Sequence, residues 1–194
     1  MRCWRGPPGS APVSTTVTRM AAVTLQAITV IGHDRPGIIA ETTGILAELG
    51  LNLEDSTMTL LRGHFAMMLI CAGPAGSAEI EEALSGLTAD GTLTVSVREV
   101  PEESAHEVVG TSYVLTVHGG DRPGIVSSVV AEVARVGGNI TDLTTRLAGE
   151  LYLLVAEVDL PPDTDVAALE TALSGVASDL GVGVTLRVVE SDDL

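Results

Sequence analysis

Apolar and polar positions along the chain alternate in two rhythms. Leu93, Val95 and Val97 alternate with Thr94, Ser96 and Arg98, the period of two that marks a half-buried strand. Leu25–Ile31 and Tyr113–His118 also read as strands. Ile125, Val129, Val133 and Val136 recur at i, i+4, i+8 and i+11, the stripe of an amphipathic helix. Ile80, Ala83, Leu84 and Leu87 predict another helix. Asp34 and Asp121 stand just before Pro36 and Pro123, a helix-start signal with proline in the first turn, and Gly50 and Gly137 suit the helix stops. Extended runs at 53–61 and 64–71, broken at Arg62-Gly63, predict a hairpin. So do runs at 140–147 and 151–158, broken at Gly149.

These elements occur twice. Asp34-Arg-Pro-Gly-Ile38 returns as Asp121-Arg-Pro-Gly-Ile125, an offset of 87, and residues 27–60 match residues 114–147 at 14 of 34 positions. The matches include Gly32/Gly119, Asn52/Asn139 and Asp55/Asp142. Ala-Leu-Ser-Gly at 83–86 returns at 172–175, an offset of 89, so two residues are inserted between, near Pro161-Pro162-Asp163. The expected organisation is a disordered tail at 1–21, a first domain at 22–100, a polar linker at 101–110 and a second domain at 111–190. Each repeat reads β-α-β-β-α-β, the split arrangement of an α+β ferredoxin-like domain. Its antiparallel sheet carries helices on one face, and the other face is left for a neighbour, the other repeat or a second chain.

Composition narrows the function. Apolar residues make up 45 % and aromatics 2 %, so the cores must be aliphatic. Ten cations, all arginine, face 26 acids, and the first nineteen residues hold three of the arginines and no acid. The rest of the chain is strongly acidic, which argues against direct nucleic-acid binding. Two cysteines, Cys3 and Cys71, make no disulfide framework and suit a reducing, cytoplasmic setting. The longest apolar run, Phe65–Ala72, is far short of the roughly 18 residues of a membrane span. The basic N-terminus lacks the apolar stretch of a signal peptide, and Met20 is a possible true start. Without lysine there is neither a Walker A lysine nor a pyridoxal Schiff base. His33, His64, His106 and His118 follow no metal-ligand spacing, so neither metal nor cofactor is expected.

A strand, Asp-Arg-Pro-Gly-Ile, a helix and then Gly-x-Asn-Ile within about 75 residues resembles the ACT domain. Val136-Gly-Gly-Asn-Ile140 is the closer match. The first copy departs from it, with Leu51 in place of a second glycine and Leu53 in place of isoleucine. A chain of two such domains resembles the glycine cleavage system transcriptional repressor family. The resemblance implies a non-enzymatic, cytoplasmic regulator. Such a protein binds a small amino acid at an interface of paired ACT domains, works as a homodimer and acts on a protein partner such as a transcription regulator or an enzyme. Glycine or serine is the ligand it suggests.

An amino acid brings a carboxylate and an ammonium to one place. The turns at Arg35, Gly37 and Ile38 and at Arg122, Gly124 and Ile125 lead into helix N-termini, whose free N–H groups and positive dipole end suit the carboxylate. Glycine lets a ligand approach the backbone. Asp34 and Asp121 can accept from the ammonium or cap their helices. Asn52 and Asn139 carry both donor and acceptor, or simply tolerate a left-handed turn. Arg35 and Arg122 can clamp a carboxylate or be solvated and paired with neighbouring acids. The resemblance places the family's ligand contacts at the turn and at this asparagine, with the first copy weaker for its Leu51. Two rival readings use the same residues: a ligand-free protein–protein adaptor, and a detached regulatory module of a metabolic enzyme. ACT modules of the second kind accompany formyltetrahydrofolate deformylases and nitrogen-regulator uridylyltransferases.

Overall fold

The structure is a computed structural model that describes residues 23–101 and 110–189. The expected tail, residues 102–109 of the expected linker, Cys3 and His106 lie outside the described residues. The described residues divide into two compact units, 23–101 and 110–189. The first unit runs β1 (Thr24–His33), α1 (Ile38–Glu48), β2 (Asn52–Leu61), β3 (His64–Gly73), α2 (Ser77–Ala83), α3 (Ser85–Thr88) and β4 (Leu93–Val100). The second runs β5 (Thr111–Gly120), α4 (Ile125–Arg135), β6 (Asn139–Ala148), β7 (Leu151–Leu160), α5 (Val166–Leu180) and β8 (Val182–Val188). Each unit forms a four-stranded antiparallel sheet, in the orders β2-β3-β1-β4 and β6-β7-β5-β8. Both are the ferredoxin-like fold that the repeat predicted.

Period-two alternation sends one set of side chains to the helices. In the first unit Ile28 and Val30 of β1 and Phe65, Met67, Leu69 and Cys71 of β3 join Ile38 and Leu46 of α1 in one apolar core, aliphatic apart from Phe65. Leu115, Val117, Leu154, Ala156, Val158 and Leu160 meet Ile125, Val129, Val133, Leu169 and Leu173 in the second. The opposite sheet faces differ in character. At equivalent positions the first presents Ile31, Met68 and Ile70 where the second presents His118, Val155 and Glu157, while Thr29 and Thr116 are shared.

Both first helices end as expected. Gly50 and Gly137 take φ of 72° and 74°, conformations that glycine reaches without strain. The N–H groups of Gly50 and Leu51 return to the carbonyls of Ala47 and Leu46, and those of Gly137 and Gly138 to Ala134 and Val133. This is the Schellman closure of a helix C-terminus. The single helix expected over Ile80–Leu87 is instead broken at Leu84 into α2 and α3. Its counterpart α5 runs unbroken through the same Ala-Leu-Ser-Gly. The Asp165 carboxylate caps α5 by accepting from the Ala168 N–H at 3.0 Å, and five residues follow Gly175 before α5 ends. In the first unit Gly76 offers no side-chain cap, and only two residues remain after Gly86.

The departure at Leu51 has a packing cause. Leu51 is buried, and a Cβ placed on Gly73 would meet its Cδ2 at 2.7 Å. The equivalent pair in the second unit, 87 residues on, is Gly138 and Leu160. There a Cβ on Gly138 would meet the Leu160 Cδ2 at 2.8 Å. One leucine fills the space beneath the helix C-terminus in both units, supplied by opposite partners.

Candidate functional site

Each strand-to-helix turn is built by Arg-Pro-Gly-Ile. Gly37 (φ 91°, ψ −5°) and Gly124 (φ 93°, ψ −4°) hold the third position of a type II turn, with proline at the second. The glycines are therefore required by conformation, and the helices begin past them, at Ile38 and Ile125. This corrects two expectations. Proline precedes the helix rather than lying in its first turn, and neither Asp34 nor Asp121 caps, because no side chain caps either helix. Both aspartates are exposed. The first N–H groups of α1 and α4, ahead of the bonds from Glu41 to Gly37 and from Ser128 to Gly124, have no backbone partner within the helix.

The turn is tied down on both sides. The His33 N–H donates to the Thr92 carbonyl at 3.0 Å and the Asp34 N–H to the Gly63 carbonyl at 3.1 Å. Gly32 permits the first approach, since a Cβ there would stand 2.0 Å from the Thr92 oxygen. Gly119 is likewise pressed against Val182. Ile38 and Ile125 are 2 % exposed, so they can offer a ligand only their backbone N–H.

The two arginines sit in different electrostatic settings. Arg35 donates to the Glu41 carboxylate at 2.8 Å. Asp90 stands close enough to feel the Arg35 charge. The Thr92 hydroxyl and N–H that donate to Asp90 hold its carboxyl below the usual range, and Arg35 adds a smaller pull in the same direction. In the second unit Ser128 stands where the first has Glu41, and Ser127 where it has Ala40. The Ser127 and Ser128 hydroxyls lie about 4 Å from where a Cβ of Gly124 would stand, with Ser127 donating to the Gly124 carbonyl at 3.1 Å. The Arg122 guanidinium lies 3.7 Å from where a Cβ on Gly181 would stand, beside the negative end of α5. Glu41, Ser127 and Ser128 were not singled out in the sequence. Comparing the repeats one turn past the shared motif would have found them.

Asn52 and Asn139 are not brought to these turns. β2 and β6 run in the same sense as β1 and β5, since both antiparallel-pair with the strand between. The asparagines open β2 and β6 at the end of the sheet remote from the turn, across ten-residue strands of roughly 30 Å. A bulge follows each, between Leu53 and Asp55 and between Ile140 and Asp142. Cys71 is a free, buried thiol, and burial pushes its pKa up, with Glu54 adding to the effect. No helix of the described residues is long and apolar enough to cross a membrane.

Two ferredoxin-like sheets, each with an uncapped helix N-terminus behind an Arg-Pro-Gly turn, define a tandem domain suited to small anionic or zwitterionic ligands. A model of the ACT domain matches residues 25–98 and again 111–188, and the chain belongs to the ACT domain family. A UPF0237 protein of Listeria innocua is 39 % identical over 77 residues, which span 39 % of this chain and 86 % of that protein. An unknown protein from Galdieria sulphuraria has a TM-score of 0.73 at 31 % identity, covering 87 % of this chain and 100 % of its own. A candidate glycine cleavage system transcriptional repressor has a TM-score of 0.64 at 16 % identity, over 87 % of this chain and 99 % of that one, a likeness of fold.

Proposed function

We propose that the chain is a non-catalytic, cytoplasmic regulator that binds a small α-amino acid at its strand-to-helix turns and reports occupancy to a protein partner. The observation that carries this is the turn of the second unit. It offers free helix N–H groups and two serine hydroxyls, with no carboxylate at the position of Glu41 and with Arg122 free of the ion pair that Arg35 makes, its guanidinium resting beside Gly181. A ligand carboxylate there gains from backbone donors and from the positive end of α4. Asp121, exposed at the mouth of the turn, is the acceptor for the ammonium. In the first unit Arg35 is already paired with Glu41, so the turn of Asp34, Arg35, Gly37 and Ile38 binds a carboxylate less well.

Asn139 and the turn at Asp121 stand at opposite ends of one sheet, and both act on one ligand only when a second copy of the domain lies antiparallel beside it. A second chain supplying that copy makes the protein a homodimer. Any transcriptional effect, on glycine metabolism or another pathway, runs through the partner protein, because the acidic body repels nucleic acid.

The test is thermal unfolding of the full chain against the twenty amino acids, with glycine and serine first on the strength of the family resemblance, followed by calorimetry. A ligand at 100 times its dissociation constant adds about 2.7 kcal/mol to the native state. A selective shift is expected, lost in Arg122→Ala and largely kept in Arg35→Ala. A flat panel from a cooperatively melting protein refutes the ligand and leaves a ligand-free adaptor.

A further inference from the structure

β4 and β8 each close one side of their sheet, hydrogen-bonded to a single neighbour. Along an antiparallel strand the backbone groups of successive residues point to alternate sides. The Val189 N–H, just past β8, turns inward to the Ser112 carbonyl. The N–H and carbonyl groups of Val182, Val184, Leu186 and Val188 therefore point outward, away from β5. The first unit shows how such an edge is closed. Val97 of β4 lies opposite Ile28 as Leu186 of β8 lies opposite Leu115. The Glu81 carboxylate of α2 accepts from the outward Val97 N–H at 3.4 Å, and Leu93 and Val97 are buried. Through the shared Ala-Leu-Ser-Gly, the residue of α5 equivalent to Glu81 is Glu170. Among the described residues the side-chain bonds of α5 and its cap are those of Asp165 and Thr171, and Glu170 makes none. Val182, Val184 and Leu186 are only half-buried. A groove of about 310 Å³ remains, with Glu170, Leu173 and Ser174 on the side of α5 and Val184, Leu186 and Arg187 on the side of β8.

We propose that this groove is the partner-docking surface of the chain, and that it takes an extended segment of another protein as a further strand on β8, with an aliphatic side chain over Val184 and Leu186 and a basic one at Glu170. An open edge recognises an extended backbone through its row of N–H and carbonyl groups, and a pocket beside it selects alternate side chains. A peptide carbonyl opposite Leu186 takes the place that the Glu81 carboxylate holds on Val97. Side chains of the added strand that face α5 recur at every second residue, so the aliphatic and the basic residue stand two apart. Glu170 and the formal charge of −16 favour a cation there. The same charge argues against a second copy, because β8 paired with β8 of another chain brings two Glu170 side chains to one seam, where like charges repel. The first unit does not bind in this way while Glu81 covers Val97. The proposal rests on the partner half of the function proposed above and needs no amino-acid ligand.

The experiment selects binders of the full chain from a phage-displayed library of random heptapeptides and measures the selected sequences by fluorescence anisotropy. They should carry an aliphatic residue two positions from Arg or Lys. Binding should weaken roughly tenfold or more in Ser174→Trp, which fills the groove, and roughly fivefold in Glu170→Lys, with circular dichroism confirming that both variants fold. N-methylation of alternate peptide amides should abolish binding in one of its two registers, the one whose N–H groups face β8. In the free protein, amide hydrogen exchange should be faster at Leu186 than at Val97, and the peptide should slow Leu186. A library that yields no binder, or binders indifferent to both substitutions, overturns the groove even if an amino acid shifts the unfolding of the protein. Equal exchange at Leu186 and Val97 in the free protein means that the edge is already covered and overturns it as well. Self-association that Ser174→Trp abolishes, without peptide binding, assigns the edge to a second copy and overturns the choice of partner. Peptide binding in the groove of a protein that takes no amino acid supports the proposal and refutes only the ligand half of the reading above.

Discussion

At the scale of single residues, the two repeats differ most usefully where they share a shape. Leu51 looked in the sequence like erosion of a binding motif. Its burial against Gly73, mirrored by Gly138 against Leu160, makes it one half of an exchanged pair. Gly73→Leu alone adds a side chain where Leu51 already stands, which costs about 1–3 kcal/mol by overpacking. Leu51→Gly alone leaves a void and costs at least the 2–5 kcal/mol typical of truncating a buried leucine to alanine. The double variant restores the arrangement of the second unit. Urea denaturation should show it more stable than the sum of the single losses predicts, by about 1 kcal/mol or more. Strict additivity would mean that the two positions do not share space. Functional asymmetry lies elsewhere, at Glu41 against Ser128, and the sequence holds that difference openly. It lies one helical turn beyond the shared motif, so the motif alone does not reveal it.

At the scale of elements, most of the fold was legible. The period of two, the helical stripe, and the Arg62-Gly63 and Gly149 breaks located the hairpins and first helices because those signals are local. The helix start was misread because Asp and Pro before a helix suggest a cap, whereas Pro-Gly here completes a type II turn whose dihedrals decide where the helix begins. The break between α2 and α3 was also missed, since the same tetrapeptide is continuous in α5 and only the flanking caps and lengths distinguish the two. Short helices with no side-chain cap open easily. Amide hydrogen exchange should therefore be faster over 77–88 than over 166–180. Equal protection would show that core contacts of Ile80, Leu84 and Leu87 outweigh helix length.

At the scale of the molecule, each unit leaves a ten-residue edge strand open, and both edges carry exposed apolar side chains. They are Met58, Leu60 and Leu61 on β2, and Leu143 and Leu147 on β6. Such an edge invites another strand unless it is guarded by charge. If β6 pairs antiparallel with β6 of a second chain, Asn139 of one arrives at the turn end of the other, the arrangement the proposed site needs. Sedimentation equilibrium should then find a dimer that becomes a monomer when Leu143 and Leu147 are both changed to Lys. A wild-type monomer would rule out this pairing and confine the ligand to the turn. How the edges are used could not be read from the alternation of residues, which sets the faces of a strand and says nothing of what lies beside it.

The exchanged leucines also bear on how a tandem protein avoids tangling with itself. Two neighbours of the same topology can trade segments while folding, and repeats are prone to that error. Here a hybrid unit would have to combine Leu51 with Leu160, two side chains competing for one space, or Gly138 with Gly73, which leaves that space empty. Each half of a repeat thus fits its own complement and rejects the other's, and a difference of two positions helps each chain segment find its own domain.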